Sequence, residues 1–119
     1  VNIHQGKRRD LLGFAAAARL TEAAVATMAQ VPAASLRQPL RGRGRVAQAR
    51  QTAMYLAHVA FGLSLTRVGI CFGRDRTTVR HACELTEDRR DDPAWEFGLA
   101  ALEVGLVALS GALAAEARS

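Results

Sequence analysis

The stretch Arg74-Asp75-Arg76-Thr77-Thr78-Val79-Arg80-His81 concentrates side chains that read base edges. A carboxylate accepts from cytosine N4 or adenine N6, an arginine donates two bonds to guanine O6 and N7, and a threonine methyl meets the thymine methyl. If Asp75 caps a helix, the free N–H groups and dipole at its start also suit a phosphate. A second cationic group precedes it. Arg41-Gly42-Arg43-Gly44-Arg45 alternates arginine with residues that cannot pack, and Arg37, Arg50 and Arg67 lie on either side. No acid occurs between Glu22 and Asp75, so this interval reads as an anion-binding surface.

Other chemistries find less support. Cys71 and Cys83 offer neither a disulfide framework nor a CxxC pair, which points to a reduced, cytoplasmic setting. His81 and Cys83, two apart on a helix, diverge and make a poor metal site. No nucleophile stands with an acid/base partner. Catalytic residues, metal and cofactor are therefore not expected, and neither is an enzyme. Six aromatic residues, with Trp95 the sole tryptophan, are too few for a single-strand stacking platform, which favours duplex DNA.

These residues must be positioned by 119 residues, one domain's length. Alanine is abundant while Val, Ile, Thr and aromatics are sparse, so the expected fold class is all-α. Apolar spacing predicts a first helix over 10–30, to which Leu11, Leu12, Phe14, Ala18, Val25 and Met28 contribute, stopped by Val31-Pro32. A loop over 37–45 reads as a flexible basic arm. A supporting helix over 46–61 follows, ended by Gly62. Ser64 caps a short helix over 65–72, with Leu65, Val68 and Cys71 or Phe72 facing the core. Gly73 turns the chain, and Asp75 caps a helix reaching about Arg89. A short helix, a glycine turn and a second helix behind a supporting helix make a helix-turn-helix, whose second helix enters the major groove.

Residues 87–92 read as a connection, and Asp92-Pro93 starts a last helix. Its Trp95, Leu99, Leu102, Leu106, Leu109 and Leu113 are spaced 4, 3, 4, 3 and 4, a heptad-like seam. That seam packs on the first helix, forms a homodimer or protein-partner interface, or meets a membrane. The apolar run 97–115 carries only Glu103 as a charge, but its three glycines and missing N-terminal basic flank argue against a span. Lys7-Arg8-Arg9 before an apolar run imitates an export signal, although Arg19 and Glu22 fit an amphipathic helix better. The expected organisation is a DNA-binding domain over 1–92 and an amphipathic packing or oligomerisation helix over 93–119. Charge follows a similar division: residues 1–83 hold thirteen Lys/Arg and three acids, +10, and residues 84–119 hold three Arg and eight acids, −5.

Val46-Ala47-Gln48-Ala49-Arg50-Gln51-Thr52-Ala53-Met54-Tyr55-Leu56, Ser64-Leu65-Thr66-Arg67-Val68-Gly69 and Phe72-Gly73-Arg74-Asp75-Arg76-Thr77-Thr78-Val79-Arg80-His81-Ala82-Cys83 together resemble the C-terminal DNA-binding domain of the bacterial replication initiator DnaA. The resemblance covers about 36–90 and implies a helix-turn-helix of the Trp-repressor/DnaA domain IV type. It implies that Arg43 and Arg45, supported by Arg41, enter the minor groove. Arg50 and Gln51 then contact the backbone, Asp75, Arg76, Thr77 and Thr78 read the major groove, and His81 lies near phosphate. Arg67, Arg74 and Arg80 join this DNA-binding set by charge and position. Departures from the family pattern are Arg76 for histidine, a missing turn glycine before Arg74, Arg80 for an apolar residue, and Thr66-Arg67 for proline and an acid. They retain or add positive charge, so duplex binding is expected while the preferred box is open.

No phosphate-loop motif occurs in these residues, so ATP-driven origin melting is not expected of them alone. The expected role is a sequence-specific double-stranded DNA-binding transcriptional regulator, cytoplasmic and nucleoid-associated, acting with a protein partner, as in gene transfer agent-type activators. Two alternatives stay open: an accessory or competitor in replication initiation, and a protein-interaction module without DNA binding.

Overall fold

The computed structural model describes residues 3–38 and 44–118, with side chains placed for 10, 13–38 and 44–115. It contains α1 (Ile3–Ala29), a short 3-10 helix (Ala33–Arg37), α2 (Arg45–Val59), α3 (Leu65–Phe72), α4 (Arg76–Arg89) and α5 (Pro93–Arg118). The fold is all-α, with no strand among the described residues. Helix α1 starts seven residues earlier than its apolar pattern suggests, because Gly6 is too weak a breaker to stop a helix by itself. It ends as expected before Pro32. There Gln30 takes a left-handed conformation (φ 59°) while Val31 N donates to Ala26 O at 3.0 Å and Gln30 N to Thr27 O at 3.3 Å. This is the paired-carbonyl cap that glycine ordinarily supplies, made here by a residue with a Cβ.

Helix α2 is the hub, in contact with α1, the 3-10 helix, α3, α4 and α5. Ala49, Ala53 and Ala57 are buried along it together with Met54, Tyr55 and Leu56. Their small side chains let neighbouring helices approach, and Ala17, Ala18, Ala26 and Ala82 do the same from α1 and α4. Leu36, Val68, Phe72 and Val79 fill the larger spaces. Of the residues expected to face inward, Ala18 and Val25 are buried and Leu65, Cys71 and Cys83 are half-buried. Met28 is a correction: it is 49% exposed and lies across the α1–α5 gap, its Sδ 3.3 Å from where a Cβ on Gly98 would stand. The side chains of Leu11 and Leu12 lie outside the described residues.

Two ionic clusters fasten the elements. Glu22, 1% exposed, sits 2.9 Å from Arg37 and 3.3 Å from Arg19, and Arg19 also donates to the Cys71 carbonyl at 2.6 Å. α1, the 3-10 helix and α3 are thereby joined. Burial pushes the Glu22 carboxyl above its ordinary range despite the two arginines beside it. In the second cluster Arg90 grips both oxygens of Glu96 at 2.6 and 2.7 Å, Glu103 at 2.6 Å and the Tyr55 hydroxyl at 2.9 Å. Tyr55 in turn donates to Glu87. Burial and Glu87 push the Tyr55 hydroxyl up to about 12, and the bond from Arg90 holds Glu96 below the usual carboxylate range. This clamp joins α2 to both sides of the α4–α5 junction. Helix α4 ends at Arg89 as expected, with Arg90 N reaching the Glu87 carbonyl at 3.1 Å, so the first three residues of the polar stretch over 87–92 are helical.

Helix α5 begins at Pro93, with Asp92 Oδ1 accepting from Ala94 N at 3.1 Å. The stretch Pro93–Ala115 has a mean hydropathy of 1.9 and is long and apolar enough to cross a membrane. In this fold one of its faces is occupied. Leu99 and Leu106 are buried and Trp95 and Leu102 half-buried against the core, whereas Leu109 and Leu113 are exposed.

Two outcomes follow. Gln30→Gly is expected to raise stability by about 1 kcal/mol by relieving the left-handed strain, measured as an increased urea midpoint with unchanged slope. The ionic clusters have opposite pH signs. Glu96, depressed, contributes stability above the ordinary carboxylate range that is lost as pH falls through its lowered value. Glu22, raised, contributes stability at acid pH that is lost as pH rises through its elevated value. Carboxyl titration by NMR is expected to read Glu22 above and Glu96 below their ordinary values, and Glu96→Gln should flatten the acid limb of stability against pH.

Candidate nucleic-acid interface

The geometry is set at the turn between α3 and α4. Ser64 caps α3 by accepting from Arg67 N at 3.1 Å. Gly73 ends α3 in the left-handed conformation (φ 66°), and Arg74 N returns to the Gly69 carbonyl at 2.8 Å. Gly69 is buried where α3 meets the turn: a Cβ there would collide with the Arg74 carbonyl oxygen and sit 3.4 Å from its carbon. Asp75 then caps α4, its Oδ1 accepting from Thr78 N at 2.8 Å. That N–H holds the exposed carboxyl below the usual aspartate range, so it is an anion at neutral pH and keeps acceptor capacity beyond the cap.

Buried Val79, Ala82 and Thr86 fix one face of α4 against the core, so Arg76, Thr77, Thr78, Arg80 and His81 lie exposed on the other. The helix start thus presents two arginines, two threonine hydroxyls and an imidazole around an ionised aspartate. Arg80 shares this face with Glu84, 3.5 Å away. Arg45, the first residue of α2, is exposed too. Arg41 and Arg43 lie outside the described residues.

Three arginines read from sequence as DNA contacts also make contacts within the protein. Arg50 is 7% exposed; its Nε donates to the Leu36 carbonyl at 3.2 Å, and Nη2 is buried without a partner. Burial and the nearby Arg74 lower its affinity for a proton. As placed, it ties the 3-10 helix to α2. Arg74 is half-buried and donates to the carbonyls of Phe72 and Gly73 at 3.1 Å and of Gln38 at 2.8 Å. Arg67 is half-buried over the Phe14 ring, 4.8 Å from its centroid. Gln51 is half-buried, with Oε1 unpartnered.

The clusters around Glu22 and Arg90 escaped the sequence reading. A signal for each was present: Glu22 is the one acid between Asp10 and Asp75, and Arg90 stands among acids on both sides. Cys71 and Cys83 are free and half-buried, their thiols raised by burial, Cys83 to about 11.

A capped short helix, a glycine turn and a second helix with a polar outer face, all held on a buried third helix, define a helix-turn-helix DNA-binding domain. The chain belongs to the family described as "Bacterial dnaA protein helix-turn-helix", which matches residues 21–85. It is 40% identical over 77 residues to the chromosomal replication initiator protein DnaA of Mycobacteroides abscessus, covering 62% of this chain and 16% of that protein. With the protein of the same name from Symbiobacterium thermophilum it shares 51% identity over 59 residues, 47% of this chain and 13% of that one. The matched part is thus less than a fifth of each curated relative.

Gly69→Ala is expected to destabilise the domain by about 1–3 kcal/mol, the usual range for overpacking a tight contact. Thermal unfolding followed by circular dichroism would register the loss, and an unchanged midpoint would contradict the close approach.

Proposed function

We propose that this chain is a sequence-specific double-stranded DNA-binding protein that regulates transcription together with a protein partner, as gene transfer agent-type activators do. The supporting observation is the outer face of α4, where Asp75, Arg76, Thr77, Thr78, Arg80 and His81 are all exposed at and beyond a capped helix start. In this reading Arg76 and Asp75 discriminate bases and Thr77 and Thr78 meet thymine methyls. Arg80 and His81 take phosphate, while Arg45, with Arg41 and Arg43, follows the minor groove. Arg50, Arg67, Arg74 and Gln51 act by positioning the interface. No catalytic role is assigned, and the site of action is the nucleoid.

Replication control is the second reading, favoured by the names of the relatives, both replication initiators. A chain acting there would occupy initiator boxes as an accessory or competitor.

Fluorescence anisotropy with duplex libraries is the direct test. Arg76→Ala is expected to cost about 1–3 kcal/mol and to relax preference at one position. Arg45→Ala should weaken all sequences alike and make the salt dependence shallower. No binding to any duplex would leave a protein-interaction role, and binding unaffected by either substitution would overturn the roles given to Arg76 and Arg45. Genome-wide immunoprecipitation separates the two DNA readings, with promoter peaks supporting transcriptional control and origin peaks supporting replication.

A further inference from the structure

Helix α5 has a second apolar face, opposite the leucine seam. Phe97, Ala101, Val104, Ala108 and Gly111 follow one another at intervals of 4, 3, 4 and 3 residues and so form a single stripe. Every member but Ala101, Ala108 and Gly111 is bulky, and all five are exposed, Phe97 at 81% and Val104 at 69%; Val107 flanks the stripe at 49%. No charged residue lies in it. The acids of this part of the helix, Glu96 and Glu103, are turned to Arg90.

We infer that this stripe is the contact surface for a second copy of the chain, packed as an antiparallel α5 pair about a two-fold axis. The order of side chains supports that occupant. If the axis passes between positions 102 and 103, Phe97 of one copy faces Ala108 of the other, and Ala101 faces Val104. By symmetry both pairings occur twice. Each of the four layers then joins one large and one small residue, the arrangement that fills space between helices without voids. A parallel pair would set Phe97 on Phe97 and Ala101 on Ala101, with a clash in one layer and a gap in the next. Antiparallel packing also places opposite helix dipole ends together.

The area is adequate for such a pair. The exposed fractions of Phe97, Val104 and Val107, with the intervening alanines, amount to on the order of 500 Å² per copy, about 1,000 Å² in all, near the lower edge of specific interfaces. A bilayer is the less favoured occupant. Spanning it would require Leu99 and Leu106 to leave the core and Glu103 to part from Arg90. The four residues of the leucine seam that pack inward are unavailable to a partner for the same reason, so the interface expected on that seam lies on the other side of the helix.

Sedimentation equilibrium of the full chain at micromolar concentration is expected to give twice the 12.7 kDa of one chain. Val104→Glu, an exposed change that should leave the helical circular dichroism intact, is expected to return the mass to one chain. Register is read by cysteine cross-linking. Phe97→Cys mixed with Ala108→Cys should form an intermolecular disulfide under mild oxidation, while each variant alone and the native chain, with Cys71 and Cys83 in place, should not. A one-chain mass at every concentration, a two-chain mass insensitive to Val104→Glu, or Phe97→Cys joining to itself would overturn the proposal. So would a one-chain mass with flotation on phosphatidylcholine/phosphatidylglycerol vesicles that Val104→Glu abolishes, which assigns the stripe to lipid.

Discussion

The carbonyl oxygen of Arg74 occupies the space that a side chain on residue 69 would need. Because residue 69 is glycine, α3 can run against the turn that starts α4, and the Arg74 N–H can close on the Gly69 carbonyl. That backbone contact fixes where α4 begins. Where α4 begins decides which backbone N–H Asp75 can cap and which residues of the helix face outward. Guanidinium bonds from Arg74 to Phe72, Gly73 and Gln38 extend the same constraint to the end of the 3-10 segment, from which the arginine-glycine stretch departs. The two proposed DNA-contacting regions are therefore tied through one residue that itself faces the protein.

Charge in this molecule is divided by use. A glutamate buried between Arg19 and Arg37 carries a desolvation cost that its partners only partly offset, as its raised proton affinity shows. Such a cluster adds little net stability, yet it specifies the angle at which α1, the 3-10 helix and α3 meet. The Arg90 clamp works at the surface with better-solvated groups and unites three helices through one guanidinium. Arg90, already counted in the −5 of residues 84–119, binds two of the eight acids there, so part of that charge is turned inward.

Much of the fold was legible because it rests on local signals. Ser64, Gly73, Asp75 and Asp92-Pro93 each mark a helix end through their own backbone chemistry, and the bounds of α3 match the reading from sequence. The end of α1 was legible from Pro32, but its left-handed cap was not, because glutamine rather than glycine adopts it. The exposed part of the site was legible for the same local reason, since the N-cap and the buried Val79 and Ala82 fix the outer face of α4. Arginine roles were not. A guanidinium at Arg50 or Arg74 looks the same in sequence whether or not it bonds a distant carbonyl, and the partners here lie 14 and 36 residues away. Long-range partners likewise hid the Tyr55–Glu87–Arg90 chain and the burial of Glu22.

Helix α5 shows how one sequence can satisfy two periodic patterns. Leucines at 99, 102 and 106 and small or bulky apolar residues at 97, 101, 104 and 108 occupy opposite sides, so a hydropathy profile sees one uniformly apolar helix. The body of the domain covers only the leucine side. A helix with both sides apolar belongs between two layers, and the chain described here supplies one of them. The remaining side has alternating bulk, no charge and a symmetric order. A two-fold partner would cover it while leaving α4, which packs against α2 and α3, outside the contact. Recognition of DNA and association of copies would then occupy separate faces, joined through helix α2, which both α4 and α5 touch, and through the Arg90 clamp at the α4–α5 junction.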